Sequence, residues 1–156
     1  MNRVTTLWVI ILFQMFLGCN TSKQMTGMSL EKAINSLENL DTTFLGNFTD
    51  DYKIRYSISN SVFTQHPGVK YNFIYYDEKE QYFIAQNDSA NISDGGLYTR
   101  IDIMRFSNME PWQWGFCLTA YKAATIEEAI KTAAADRANP KKGCGGYPFS
   151  RMKRIH

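Results

Sequence analysis

The chain has little of what marks fibrous, disordered or nucleic-acid-binding proteins. Glycine and proline together account for only fourteen of 156 residues, which excludes collagen-like and low-complexity classes. The formal net charge is +2, far from the strong basic excess of a nucleic-acid-binding domain. The sequence also lacks a nucleophile elbow, a glycine-rich phosphate loop and a His-Glu-x-x-His metal motif. We therefore expect no nucleic-acid partner, no enzymatic activity and no cofactor.

The residues that are present indicate one folded domain. Hydrophobic residues make up 44% of the chain and charged residues 21%, a balance typical of proteins that bury a core. Aromatic residues reach 14%, and 156 residues are enough for one domain of ordinary size. The composition therefore predicts a single globular domain with a hydrophobic core.

The N-terminus carries the pattern of an export signal. Arg3 is followed by an apolar run from Leu7 to Leu17 that only Gln14 interrupts. This run is too short to span a bilayer, which takes about 20 apolar residues, and it has the length of a signal-peptide h-region. The alternative interpretation is a buried N-terminal helix of the core.

The end of this run, from Phe16 to Cys19 (FLGC), resembles the bacterial lipoprotein signal, in which a cysteine after a small residue becomes the lipidated N-terminus. The resemblance implies that residues 1–18 are a signal peptide. It also implies that Cys19 carries the lipid anchor, with palmitate as one of its acyl chains. Asn20 stands where an Asp would favour the inner membrane, which implies an outer-membrane lipoprotein that faces the periplasm. Residues 19–28 then form a flexible tether, and the lipid anchor is the expected contact with the membrane.

Two cysteines remain once the lipidated residue is set aside. In an oxidising envelope compartment, Cys117 and Cys144 are expected to form a disulfide, which closes a loop of about 27 residues. A zinc site is the alternative, but only His66 and His156 are available as further ligands. Neither histidine has ligand spacing to a cysteine. We therefore expect a disulfide and no metal.

The C-terminal segment differs in charge from the rest of the β-rich domain, which is predicted to span residues 29–156. Residues 41–136 hold eight Lys or Arg and thirteen Asp or Glu, whereas residues 137–156 hold six Lys or Arg and no acid. We interpret this segment as a basic tail tethered by the disulfide. Three interpretations of its role stay open: docking on the acidic body, docking on anionic lipid heads, and a solvated terminus.

Apolar periodicity predicts a helix, a series of strands and a second helix. Positions three or four apart are apolar near both ends of the domain, as in amphipathic helices, and alternate positions are apolar between them, as in half-buried strands. Thr125 is the predicted N-cap of the second helix, and Pro140 ends it. The helices are predicted at Leu30–Asn39 and Thr125–Asn139, and the clearest strands at Tyr52–Ile58, Val69–Tyr76, Gln81–Gln86, Leu97–Phe106 and Trp112–Tyr121.

The order of these elements predicts the fold class. About seven strands fit between residues 43 and 121 at the spacing of a meander. The absence of helices between them excludes parallel βαβ units. The predicted fold is therefore mainly β: a small antiparallel meander barrel or curved sheet, with a short N-terminal helix and a C-terminal helix packed outside.

Three segments resemble the lipocalins, a family of meander barrels. The tripeptide Gly46-Asn47-Phe48 stands where lipocalins have Gly-x-Trp in the first strand. Residues Val69–Asn87 are similar to a later pair of strands, and Trp114–Ala129 to the last strand running into the helix. Bacterial lipocalins include outer-membrane lipoproteins that bind lipid-like molecules. The resemblance implies a carrier for an apolar or amphipathic molecule.

One polar cluster and one aromatic segment form the predicted ligand site. Tyr98, Arg100 and Asp102 occupy alternate positions of a predicted strand, so their side chains share a face. A sheltered Arg–Asp pair either orients a polar ligand head or serves only the structure. Trp112 and Trp114 follow a Pro-broken loop, where aromatic surface suits packing on an acyl chain or anchoring in the core.

Two hypotheses for function follow. The first is an outer-membrane-anchored, non-enzymatic binding protein for an apolar or amphipathic small molecule. The second is an envelope structural or interaction lipoprotein with a filled core and no small ligand. A carrier needs an apolar cavity of about 300 Å³ or more, whereas a closed barrel of this size can also be filled by its own side chains. The second hypothesis implies that the surface, the basic tail included, contacts another envelope component, and the sequence identifies no particular protein partner.

The lipid anchor gives the first testable prediction. Replacing Cys19 with Ala removes the sulfur that carries the lipid, so we expect the variant to leave the membrane fraction in cell fractionation. Anchoring by several acyl chains is effectively permanent, because each buried methylene contributes about 0.8 kcal/mol. If the Cys19→Ala variant still sediments with membranes after a high-salt wash, the anchor lies elsewhere in the chain.

Overall fold

The computed structural model describes residues 30–155, which form one closed barrel with two short helices. The predicted signal peptide, Cys19 and the tether lie outside the described residues. No helix within residues 30–155 is long and apolar enough to cross a membrane.

Eight antiparallel strands form the barrel, and each strand pairs with the next along the chain. Apolar residues at alternate positions of the long strands face inwards, and turns of three to five residues join the first five strands. This architecture confirms the predicted mainly β meander and shows that it is a closed barrel. The strands are β1 (Gly46–Thr49), β2 (Arg55–Ile58), β3 (Val62–Gln65), β4 (Val69–Asp77), β5 (Tyr82–Asn87), β6 (Tyr98–Arg105), β7 (Trp112–Ala123) and β8 (Ser150–Arg154).

The last strand, β8, is absent from the sequence-based prediction. It lies between β7 and β1 and closes the barrel, with Phe48 opposite Arg154 and Thr49 opposite Lys153. Met152 is its one fully buried residue. Because its other positions are polar or basic, β8 shows almost no apolar alternation. The segment interpreted as a basic tail is therefore in part a structural strand.

Aromatic side chains fill the barrel. Within the described residues, ten of the sixteen buried residues of the main core are Phe, Tyr or Trp. They meet mostly edge to face, the arrangement that the quadrupoles of aromatic rings favour. The ring centroids of Phe44 and Trp114 lie 5.3 Å apart, and those of Phe63 and Phe116 lie 5.2 Å apart. The barrel is thus packed with its own side chains.

The two helices lie outside the barrel, as predicted, and share an apolar cluster on its outer face. The first, α1 (Leu30–Glu38), packs on β4, and the second, α2 (Ile126–Lys131), packs on β5, β6 and β7. A register shift between Phe73 and Tyr75 reverses the phase of the alternation in β4, so that Tyr76 instead of Tyr75 follows Phe73 on the inner face. Tyr75 packs under the helices, and Tyr76 belongs to the barrel core.

The second helix is much shorter than predicted. It ends at Lys131 instead of Asn139, and the residues after it are irregular. In this segment the backbone N–H of Ala135 and the side chain of Arg137 donate hydrogen bonds to Asp102 at 3.3 and 3.1 Å. These contacts with the barrel replace helical hydrogen bonds, so tertiary structure overrides the local helix propensity.

An arginine from β8 helps to close the end of the barrel at which β1 begins. A 3₁₀ turn (Thr42–Phe44) buries Phe44 at this end. Arg154 stacks over the Phe48 ring, 4.8 Å from its centroid, and donates to the carbonyl oxygens of the turn. Gly46 has a φ of 122°, and a Cβ there would lie 2.5 Å from the Arg154 side chain. The first strand therefore requires glycine at its start.

The predicted disulfide between Cys117 and Cys144 is confirmed. Cys117 lies on β7, and Cys144 belongs to the irregular segment between α2 and β8. Both sulfurs pack with Ala135 and Phe149 in a small core outside the barrel. The bond therefore fixes the irregular segment to the barrel wall.

Loss of the disulfide is expected to destabilise the domain. The cysteines are 27 residues apart, and closing a loop of this length contributes about 3 kcal/mol in the chain-entropy model. We expect the double variant Cys117→Ser, Cys144→Ser to lose about this much free energy of unfolding in urea titrations. Thiol labelling of denatured, non-reduced protein from the envelope checks the bond itself, and full labelling of both cysteines would contradict it.

Candidate functional site

The buried carboxylate of Asp102 is the centre of a polar cluster on the outer face of β6. Its side chain is 0% exposed. Arg100 donates to both carboxylate oxygens at 3.1 Å, and the Thr119 hydroxyl donates at 2.6 Å. A buried carboxylate is costly unless it is paired and hydrogen-bonded, and here each oxygen has donors. The predicted pair is therefore sheltered and shares one face of the strand.

The same carboxylate holds the segment that follows α2. Ala135 and Arg137 of this segment donate to it. Arg100 also donates to the carbonyl oxygen of Ile130 in α2 at 2.9 Å and stacks on the Tyr82 ring, 3.9 Å from its centroid. Arg137 additionally donates to carbonyl oxygens of β6 and of the β4–β5 turn. The Arg–Asp pair thus joins several parts of the chain and is enclosed by protein.

The five residues of the predicted ligand set do not come together. Arg100 and Asp102 are in contact, whereas Tyr98, also on β6, packs in the apolar cluster under the helices. Trp114 is fully buried in the barrel core. Trp112 lies on the outside, with its ring 4.9 Å from a β8 guanidinium. The set therefore occupies four different surroundings, and the geometry favours a structural role for the Arg–Asp pair.

An apolar groove lies on the outer surface of the barrel, and we call it the outer groove. It encloses about 700 Å³, within the range of small-molecule sites, about 300–1,000 Å³. Its walls are the β1–β2 turn, the end of β6 with the β6–β7 loop, and the chain around the start of β8. The lining residues are Asp51, Tyr52, Met104, Phe106, Met109, Pro140, Lys141, Pro148, Phe149 and Arg151.

One wall of the outer groove depends on a glycine. A Cβ at Gly115 of β7 would lie 2.9 Å from the Phe106 ring and 3.1 Å from the Ser150 carbonyl oxygen. The missing side chain lets the Phe106 ring lie directly against the strand. On another wall, the Phe149 N–H donates to the Pro140 carbonyl oxygen at 3.0 Å. This hydrogen bond brings together the two ends of the proline-flanked segment beside the barrel.

Charged groups stand at the edge of the outer groove. The Arg151 guanidinium donates to both oxygens of Asp51 at 2.7 to 3.1 Å, and this hydrogen bonding raises the pKa of Arg151. The pair is therefore a charge-assisted, two-pronged contact between a guanidinium and a carboxylate. Lys141 is exposed, and its side chain has no ion-pair or hydrogen-bond partner among the described residues. The positive charge of Arg151 at the groove is thus compensated by Asp51, and that of Lys141 is not compensated by any described residue.

A smaller and more polar depression lies on the outer face of β1 to β3. It encloses about 440 Å³. The His66 Nε2 atom lies 2.8 Å from the Ser57 hydroxyl oxygen, and this hydroxyl donates to Asn47 at 2.9 Å. A histidine that acts as a catalytic base is usually oriented by a third group, often a carboxylate. No acidic residue that could orient His66 is present among the described residues that line this depression. Within residues 30–155, no cluster of three or more His, Cys, Asp or Glu side chains is placed to hold a metal ion.

Comparison with known proteins finds no relative. No protein-family model, no curated protein and no solved structure matches the chain. The chemistry of the outer groove and the N-terminal sequence are therefore the features that bear on function.

Sequence reasoning missed the outer groove. The alternation of β6 places Met104 and Phe106 on the same face as Asp102, but it carries no sign that the C-terminal segment folds back beside them. A partial signal exists in Pro140 and Pro148, which flank a glycine-containing run and indicate an irregular segment. Its position against the barrel depends on contacts between residues far apart in the chain, which local patterns do not report.

The buried Arg–Asp pair gives a stability prediction. We expect Arg100→Met to lower the free energy of unfolding by about 3 kcal/mol, because breaking a buried ion pair leaves an incompletely compensated charge. Urea titration measures the change. Lys79→Met is the control: Lys79 is 91% exposed, and an exposed pair contributes under about 1 kcal/mol. Equal stability of the two variants would mean that the cluster does not stabilise the fold.

Proposed function

We propose that this protein is an outer-membrane-anchored, non-enzymatic binding protein for an apolar or amphipathic small molecule, and that the outer groove is its binding site. The observation that carries the proposal is the groove itself. It encloses about 700 Å³ and is lined mainly by Met, Phe, Pro and Tyr side chains, on a barrel whose interior is filled. Apolar concave surfaces of this kind mark interaction sites.

The barrel interior is a poor site for a ligand. The Phe83 ring is stacked between Phe73 and Tyr76, with centroid distances of 4.3 and 4.4 Å. Displacing a buried ring to make room would cost about 1.5–3 kcal/mol in lost burial. The lipocalin resemblance implies a ligand inside the barrel, whereas this packing leads us to place the ligand outside it.

The lining side chains suit a flexible apolar ligand. Met104 and Met109 have unbranched, polarisable side chains that adapt to different shapes. Phe106 and Phe149 supply fixed aromatic surface. A ligand that buries about 300 Å² of apolar surface gains about 7.5 kcal/mol before the costs of association are subtracted. Because a dissociation constant of about 1 μM already needs about 8.2 kcal/mol net, we expect simple alkyl ligands to bind with dissociation constants well above this value.

The proposed anchor is compatible with an accessible groove. The described chain begins with α1, which packs on β4. In the eight-stranded order, β4 lies four places from β8, on the opposite side of the barrel. Arg151 of the groove belongs to β8. The β8 side of the groove therefore lies across the barrel from the strand on which α1 packs, which is compatible with ligand binding while the lipid holds the protein at the membrane.

The filled core also favours a second candidate, an envelope interaction lipoprotein without a small ligand. Such a protein has no need of an internal cavity, and the packed aromatic interior meets that condition. The two candidates differ in one measurable property. A binding protein retains or takes up an apolar molecule, and an interaction protein does not.

Ligand binding is tested on the unlipidated mature chain, residues 19–156 with Cys19→Ser, whose described core lies within residues 33–152. Native mass spectrometry detects a co-purified lipid, and titration with the neutral fluorophore N-phenylnaphthylamine measures uptake. We expect a lipid adduct or a saturable rise in fluorescence. Phe106→Gln is expected to weaken probe binding about tenfold, because about 1.4 kcal/mol of apolar contact is lost.

The matched control is Tyr121→Gln, because Tyr121 is an exposed aromatic residue of β7 that does not line the groove. Thermal melting verifies that both variants fold. Equal weakening by the two substitutions would show that the probe binds elsewhere. No adduct and no saturable binding in the unsubstituted chain would contradict the proposal and favour the interaction lipoprotein.

A further inference from the structure

We propose that the outer groove selects a single-chain amphiphile with an anionic head group, and that Lys141 binds this head. The inference rests on the proposed function and adds the charge and orientation of the ligand. It follows from the way the fold distributes the cations of the C-terminal segment.

The C-terminal segment carries more cationic side chains than have partners in the fold. Residues 137–155 contain three arginines, three lysines and no acid. The arginines bind Asp102, Asp51 and backbone carbonyl oxygens. The lysines are exposed, and their side chains have no ion-pair or hydrogen-bond partner in the part of the chain that the structure describes: Lys141, Lys142 and Lys153. The C-terminal segment therefore carries three uncompensated lysines, and part of this segment forms a wall of the groove.

Lys141 is the uncompensated cation that lines the groove itself. It follows Pro140, whose carbonyl oxygen accepts the Phe149 N–H, so its side chain starts from a fixed wall. A lysine carries a compact ammonium on a flexible four-carbon stem. The stem packs on apolar surface while the ammonium reaches a polar partner. This arrangement suits an alkyl chain that ends in a carboxylate or a phosphate.

The acids at the groove do not cancel this charge. Asp51 is bound through both carboxylate oxygens to Arg151, so its charge is compensated. Glu110 lies beside Met109 in the loop that forms a different wall, and it has no partner among the described residues. Repulsion from Glu110 disfavours an anionic head at that wall, and attraction by Lys141 favours it at the C-terminal wall.

The concave shape favours one amphiphile over a membrane surface. Phe149 is buried and Met104 is half-buried, although both line the groove. A flat bilayer contacts protruding side chains, whereas a single alkyl chain reaches recessed ones. The recessed apolar residues and the cation at their edge match the two parts of a fatty-acid-like molecule.

Head-group selectivity is measured with ligands that share a dodecyl chain: dodecanoate, dodecyl phosphate, monododecanoylglycerol and dodecyltrimethylammonium. Each displaces N-phenylnaphthylamine from the unlipidated chain, below the micelle concentration and at low salt. We expect the anions to bind at least about tenfold more tightly than the neutral glycerol ester. Lys141→Met should remove this advantage and leave the affinity for the neutral ester unchanged. Lys79→Met, a substitution of an exposed lysine outside the groove, should change neither.

The outcomes separate this inference from the proposed function. Equal binding of anionic and neutral ligands, or an anion preference that survives Lys141→Met, overturns the inference and leaves the binding function intact. Failure of every dodecyl ligand to bind overturns both. Sedimentation with phosphatidylglycerol vesicles without displacement by free anions overturns it in favour of membrane docking. A preference that depends on Lys141 supports it, and the tighter of the two anions identifies the head group as carboxylate or phosphate.

Discussion

The carboxylate of Asp102, fully buried on the outer face of β6, accepts hydrogen bonds from β6, from β7 and from the segment after α2. A buried charge that lacks partners costs several kcal/mol. Arg100 and Thr119 meet part of this cost, and the chain adds Arg137 and the Ala135 N–H, which lie in the irregular segment beyond the end of α2. The residues that follow then lie along the barrel wall, where Cys144 reaches its disulfide partner. The position of β8 depends on this path, since the same segment leads into it.

The outer groove is a consequence of this path. If α2 continued to Asn139, Pro140 and Lys141 would follow the end of a longer helix instead of lining a surface beside β6. The folded-back segment is restrained at Arg137 by the carboxylate, at Cys144 by the disulfide and from Ser150 by strand pairing. A wall restrained at both ends keeps its shape without a ligand. Such pre-organisation lowers the ordering cost of binding, so the buried charge contributes to the site without contacting the ligand.

Sequence patterns predicted the elements whose apolar spacing is local. The alternation in β4, β6 and β7 gave these strands to within a few residues, and it placed Arg100 and Asp102 together on one face. The strand that closes the barrel was not predictable in this way, because Met152 is its one fully buried residue and the charge of Arg151 is compensated by Asp51 from the distant β1–β2 turn. The length of α2 and the groove depend on equally distant contacts. Local propensity predicts strands and caps. The hydrogen-bond donors to a buried charge come from distant parts of the chain, so local patterns do not predict them.

The aromatic composition explains why we place the ligand outside the barrel. An eight-stranded barrel has an interior just wide enough for side chains to fill, and it holds a ligand only where inward residues leave room. Here the inward positions carry rings such as Phe48, Phe63 and Trp114, and each ring contact adds about 0.5–1.5 kcal/mol to the effect of burial. The interior therefore stabilises a domain of modest size, and opening it would weaken the fold. Apolar surface available for binding remains where the barrel wall meets the folded-back segment. This surface lies beside Lys141, whose side chain has no ion-pair or hydrogen-bond partner among the described residues.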